Sequence, residues 1–134
     1  MAALPPQAAE LFSKQKPFFL ATASKDGIPN VVPVGMFFVG EDGKLWLVDN
    51  YLCKTLKNIK ENPWVAFDLW NPESPESYQV KGKAEIVSSG PDYEKAVAFA
   101  HSKKETFPAK NLIKVDPTCV YYTTPGDHAG KKIL

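Results

Sequence analysis

Asp49-Asn50-Tyr51-Leu52-Cys53-Lys54-Thr55-Leu56-Lys57-Asn58-Ile59-Lys60-Glu61-Asn62 follows an apolar run, Leu45-Trp46-Leu47-Val48, that reads as a strand. Leu52, Leu56 and Ile59 fall at i, i+4 and i+7, one face of a helix. A strand therefore turns directly into a short helix, with Lys54 and Thr55 in the helix's first turn. That turn holds backbone N–H groups without partners and the positive end of the dipole. An ammonium and a hydroxyl added there make a corner suited to a phosphate. Asn58, one turn on and beside Thr55, offers a further donor. A second reading of the same residues is an ordinary amphipathic helix with solvated lysines.

Working outward, Pro29 to Val39 reads as one strand between two turn signals, Lys25-Asp26-Gly27 and Gly40-Glu41-Asp42-Gly43. Phe18 to Ala23 is the strand before it. A helix from about Pro5 to Gln15 precedes that strand, entered through Pro5 and Pro6. Two hairpins in succession predict an antiparallel meander. Downstream, Trp64 to Trp70 is a strand, and Tyr78 to Val87 is a longer one that alternates apolar and polar, so one of its faces is wet. Ser89, with Asp92 three residues later, predicts a capped helix that turns Tyr93, Ala96, Val97 and Ala100 inward. Leu112 to Val115 and Cys119 to Thr123 are expected as two strands separated by Asp116-Pro117. The tail from Pro125 contains glycine and is basic, and reads either as mobile or as folded over a partner's site. The pattern predicts a mainly β fold: a small antiparallel barrel of six or seven strands with peripheral helices, in one domain spanning 1–134.

The net charge of +1 gives no electrostatic case for nucleic acid or an anionic membrane. There is no apolar run long enough to span a bilayer, so a cytoplasmic protein is the default expectation. All 16 basic residues are lysine. Bidentate guanidinium clamps are therefore absent, and an anion must be held by lysine, hydroxyls and backbone N–H groups. Cys53, Cys119, His101 and His128 are too scattered to predict a metal site.

The Pro29–Val39 run is apolar on both faces: Val32, Val34, Met36 and Phe38 alternate with Val31, Phe37 and Val39. Such a strand needs cover on both sides. One cover is a barrel interior; the other is a helix, a second subunit or a flat cofactor. Pro33 cannot donate to a ladder and marks an edge or a bulge, and Gly35 permits close approach to the backbone. A flavin ring, apolar on its face and hydrogen-bonding at its rim, would suit this shelf. Trp64 to Trp70 is also apolar on both faces, broken by Asp68, as in an aromatic-rich interface. Cys53 is expected as a small, partly buried residue, and His101 as solvent-facing.

These segments resemble the pyridoxamine-phosphate-oxidase-like proteins with the flavin-binding split-barrel fold. The resemblance rests on Phe19-Leu20-Ala21-Thr22-Ala23 with Asp26-Gly27 and Pro29, and on Val31-Val32-Pro33-Val34-Gly35. It continues through Asp49-Asn50 with Lys54-Thr55 and Asn58, then Tyr78 to Glu85 and Ser89-Gly90-Pro91. It implies a homodimer with flavin mononucleotide (FMN) at the interface. The phosphate would lie on Lys54 and Thr55, the ring along the backbone of Val32, Pro33, Val34 and Gly35, and the ribityl chain near Asp49 and Asn50. Without arginine, true pyridoxamine phosphate oxidase activity is not expected. The expected function is a flavin-dependent oxidoreductase between a nicotinamide or protein donor and a small acceptor, with no protein acid or base to name. The alternatives are a non-enzymatic flavin carrier or store, and a flavin-free dimer.

Overall fold

The first hairpin joins β1 (Phe18–Ala23) to β2 (Pro29–Val34) through a turn in which Gly27 takes φ +85°, a conformation that glycine adopts without strain. The computed structural model describes residues 4–134, so the first three residues of the expected domain lie outside it. Beyond β2 come β3 (Phe37–Val39), β4 (Leu45–Asp49), α2 (Lys54–Glu61), β5 (Trp64–Trp70), β6 (Ser77–Val87), α3 (Pro91–Lys103) and β7 (Asn111–Tyr122), with α1 (Pro6–Lys14) preceding β1. All neighbouring strands are antiparallel, in the order β2-β1-β5-β6-β7-β4-β3. The seven strands curl into a half-barrel, the split-barrel fold, with three helices around it.

The single strand expected over Pro29–Val39 is two. It breaks at Gly35 and Met36, and its halves occupy opposite edges of the sheet. The break also resets the alternation. Val34 and Phe37 both join the barrel core, whereas Met36 and Phe38 pack on the second cluster, beneath α3. The meander expectation fails for the same reason: the β1–β2 and β3–β4 hairpins are separated by the width of the sheet.

The two C-terminal strands expected around Pro117 are one continuous strand. Pro117 pairs with Gly82 where the β6–β7 register shifts. The shift skips Thr118, and a bulge at this point is one of the few places where a strand tolerates a proline that donates nothing to the ladder. A Cβ on Gly82 would run into the Asp116 carbonyl, so this crossing needs glycine. The β6 alternation holds: Tyr78, Val80, Gly82 and Ala84 are buried, and Lys81, Lys83 and Glu85 are exposed.

α1 buries Ala8, Leu11 and Phe12 over one end of the barrel. Phe12 and Phe18 each meet Phe37, with ring centroids 4.9 and 4.6 Å apart. α3 is not capped by Ser89; Gly90 takes the cap at φ +98° and no side chain bonds there. Ala96 and Ala100 pack against Trp46 and Leu112. Lys114 fastens this layer, bonding Asp92 of α3 while lying 3.3 Å from Asp42 and 4.9 Å from the Trp46 ring centroid. The tail lies along its own β7: the Gly130 N–H donates to Tyr122 and the Ile133 N–H to Val120, both at 2.7 Å. Among the described residues no helix is long and apolar enough to cross a membrane.

Candidate functional site

The turn from β4 into α2 is fastened by its own side chains. The fully buried Asp49 carboxylate accepts from the Leu52 N–H at 2.9 Å and the Asn111 amide at 2.7 Å. Asn50 accepts from the Ala109 N–H at 3.0 Å. These bonds fix where α2 begins. Its first residue is Lys54, its cap position is Cys53, and no side chain caps it. The opening N–H groups therefore have no partner inside the helix. Cys53 itself is exposed, a free thiol, not the partly buried residue expected; as the cap residue it stands outside the helical face that packs on the core.

Between this helix start and edge strand β2 lies a cavity of about 380 Å³. Val32, Pro33, Val34 and Gly35 form one wall; Asn50, Lys54 and Thr55 stand on the other. Seven of the nine residues expected at the site thus line one space. Asp49 and Asn58 do not. Asp49 is consumed by the turn, and Asn58, 8% exposed, donates to the Thr22 hydroxyl at 3.0 Å. Tyr51, Cys53, Met36 and Val48 also line the cavity and were not anticipated.

Thr55 is 1% exposed, and its oxygen accepts from the Asn30 amide at 2.9 Å. The same amide lies 3.3 Å from the Thr22 oxygen. Thr22, Asn30, Thr55 and Asn58 form a small polar network under the helix start. Sequence reasoning missed Thr22 and Asn30 as members, although each is the lone polar residue of its strand. A threonine hydroxyl has one proton to donate. With Asn30 supplying a bond to its oxygen, the Thr55 proton stays available to an acceptor. Lys54 is exposed and forms no ion pair among the described residues. An ammonium, a hydroxyl and open helix N–H groups at one corner of an apolar cavity can hold a dianionic head group attached to a flat body.

The profile of the pyridoxamine 5'-phosphate oxidase family matches residues 4–124. The chain belongs to this family. A protein of Methanocaldococcus jannaschii is 38% identical over 117 residues, 86% of this chain and 78% of its own length. HupZ of Group A Streptococcus superposes with a TM-score of 0.80 at 23% identity, covering 95% of this chain and 99% of its own. An F420 reductase gives 0.66 at 28% identity, covering 87% and 98%. HutZ of Vibrio cholerae, described as a haem storage protein, gives 0.69 at 16% identity, covering 90% and 95%.

In this member of the pyridoxamine 5'-phosphate oxidase family neither histidine lines the cavity. His101 is exposed and bonds the Phe107 carbonyl at 3.0 Å, and His128 is exposed in the tail near the Tyr122 ring. Among the described residues no group of three His, Cys, Asp or Glu could hold a metal.

The outer face of β2, β1 and β5 leaves Val31 62%, Phe19 52% and Trp64 46% exposed. The Phe19 and Trp70 rings stack at 6.3 Å around a hollow of about 300 Å³ that also holds Asp68. Asp68 is exposed by area, yet the loss of water on its apolar side pushes its carboxyl above the ordinary range.

Proposed function

We propose that this chain is a single-domain, homodimeric FMN-binding protein and serves as a flavin-dependent oxidoreductase. The observation that carries the reading is the meeting of Lys54, Thr55 and the uncapped start of α2 at the corner of an apolar cavity. Lys54, the Thr55 hydroxyl and the helix N–H groups would hold the phosphate. The edge backbone from Val32 to Gly35 and Asn50 would border the ring and the ribityl chain. The flavin supplies the electron transfer when bound; the chain positions it and excludes water from one face. The dimer would close over the outer sheet face that presents Phe19, Val31 and Trp64.

Among the described residues no histidine or carboxylate lines the cavity, so a donor and an acceptor would exchange electrons at the open face without help from a protein acid. That same feature favours the second reading, a flavin carrier without turnover. The absence of a histidine from the cavity also places haem storage behind both. The absorption spectrum of the purified protein, with identification of the heat-released chromophore, tests the cofactor. Turnover with reduced nicotinamide and a panel of acceptors separates enzyme from carrier.

A further inference from the structure

A second cavity, of about 300 Å³, opens on the sheet face proposed above to join two copies. On β1, β2 and β5 every outward position is uncharged except one, Asp68. The Leu20–Phe67 pairing sets the aromatic Phe19 beside it, and Trp70 follows it on the same side of β5. Among the described residues the Asp68 carboxylate forms no ion pair within 4.0 Å.

The cations of this face are engaged elsewhere. Lys81 and Lys83 hold outward positions of β6, opposite Ala66 and Trp64. The Lys83 ammonium lies 5.2 Å from the Trp64 ring centroid, and that of Lys81 lies 5.7 Å from the Tyr121 ring centroid. Glu85 is the next outward residue of β6. Past Trp70, the charged residues Lys14, Lys16 and Glu73 line a different cavity. The residue directly across the ladder from Asp68 is Gln79. Its carboxamide can accept from a protonated carboxyl while its own N–H donates to the second oxygen. Only the protonated form of Asp68 can make both bonds.

In the free protomer Asp68 is exposed, and water reaches its open side. Loss of water on its apolar side already raises the carboxyl. A second copy laid on this face expels the remaining water, and a two-fold contact does so to both carboxyls at once. An ionised Asp68 would then be an unpaired charge inside an apolar contact, whereas a protonated one is an acid–amide pair.

We propose that Asp68 makes the assembly of two copies proton-linked: the face closes on a second copy of this chain when Asp68 takes up a proton, and its charge opposes closure. This rests on the dimer face assigned above. Association takes up protons, so the dissociation constant falls as pH falls and levels off once the free protomer is itself protonated.

Sedimentation equilibrium of the full chain between about pH 5 and pH 8 tests this, with Asp68→Asn, Lys81→Ala and Phe19→Glu alongside. The parent dimer should tighten at least about tenfold from the upper to the lower pH. Asp68→Asn should bind at the upper pH at least about tenfold more tightly than the parent and vary less than about twofold with pH. Lys81→Ala should keep the parent's profile. The Asp68→Asn chain retains both histidines, so a pH dependence that survives in it arises elsewhere and overturns the proposal. Looser association of Asp68→Asn would mean that the carboxylate is bonded across the contact, and it overturns the proposal too. Phe19→Glu separates this inference from the reading beneath it. A dimer that survives Phe19→Glu is built on another face, and both fall. A dimer lost with Phe19→Glu but indifferent to pH keeps the face and removes the proton link alone. A parent that is monomeric at every pH removes the face, and the link with it.

Discussion

The Asn30 amide donates to the Thr55 hydroxyl at 2.9 Å, tying the edge strand β2 to the first turn of α2 across 25 residues of sequence. Both walls of the candidate cavity are therefore linked through one bond. That bond also fixes which way Thr55 can still donate. The proposed phosphate corner is thus preorganised by a residue that does not line the first cavity.

Lys54→Ala combined with Thr55→Ala should weaken FMN binding by about 10- to 100-fold, the scale of one or two charge-assisted hydrogen bonds. Riboflavin, which lacks the phosphate, should change less than about twofold. Paired fluorescence titrations check this, and equal loss for both ligands would remove the phosphate from this corner.

Asn58→Ala removes the buried donor to Thr22. The Asn30 amide remains 3.3 Å from the Thr22 oxygen, so the loss is that of one hydrogen bond, about 0.5–1.5 kcal/mol. Urea unfolding should show that loss with an unchanged slope. A loss below about 0.5 kcal/mol would mean that water replaces the amide without penalty.

Gly82→Ala should be strongly destabilising, because the new methyl meets backbone, the Asp116 carbonyl, which cannot swing aside as a side chain would. Overpacking of this kind costs about 1–3 kcal/mol or more. Thermal melts of the variant are the check, and a melting temperature within a degree of the parent would contradict the rigid crossing.

Phe19→Glu places a charge in the centre of the exposed aromatic face. If that face joins two copies, the variant should sediment as a monomer at concentrations where the parent is a dimer, with its circular dichroism unchanged. A parent that is itself monomeric at micromolar concentration would defeat the interface proposal.

The Asp68 carboxyl is raised by desolvation. A carboxyl whose pKa is higher in the folded state than in the unfolded state favours folding only when protonated. Its charged form therefore lowers stability at neutral pH, and the deficit fades as pH falls through the raised value towards the unfolded value of about 3.9. Asp68→Asn should raise the melting temperature at pH 7 and lose that advantage below about pH 4. An advantage that persists unchanged at low pH would show that the charge is not the cause.

Much of this architecture can be read from residues alone. β1 and β5 begin and end where expected because each is a short apolar run bounded by turn residues. The helix start at Lys54 was visible because Leu52, Leu56 and Ile59 set its phase. The break at Gly35 was not visible. A run that is apolar on both faces has no polar residue to reveal where the alternation restarts. Pro117 misled for a different reason: whether a proline ends a strand or sits in a bulge depends on its partner Gly82, 35 residues away. Ser89 has the chemistry of a cap, but Gly90 alone supplies the positive φ that the chain needs there. The polar network was hidden because Thr22 and Asn58 meet only after the sheet has curled.

The two outermost strands of the sheet are consecutive in the chain, joined only through Gly35 and Met36. The seam of the half-barrel is thus spanned by two residues outside any strand, at the mouth of the first cavity. Amide hydrogens at this splice should exchange with solvent sooner than those of the central strands, since local opening begins where ladder bonds are fewest. A guest wedged against the splice would act as a rivet, slowing that exchange and coupling occupancy to the breathing of the whole shell.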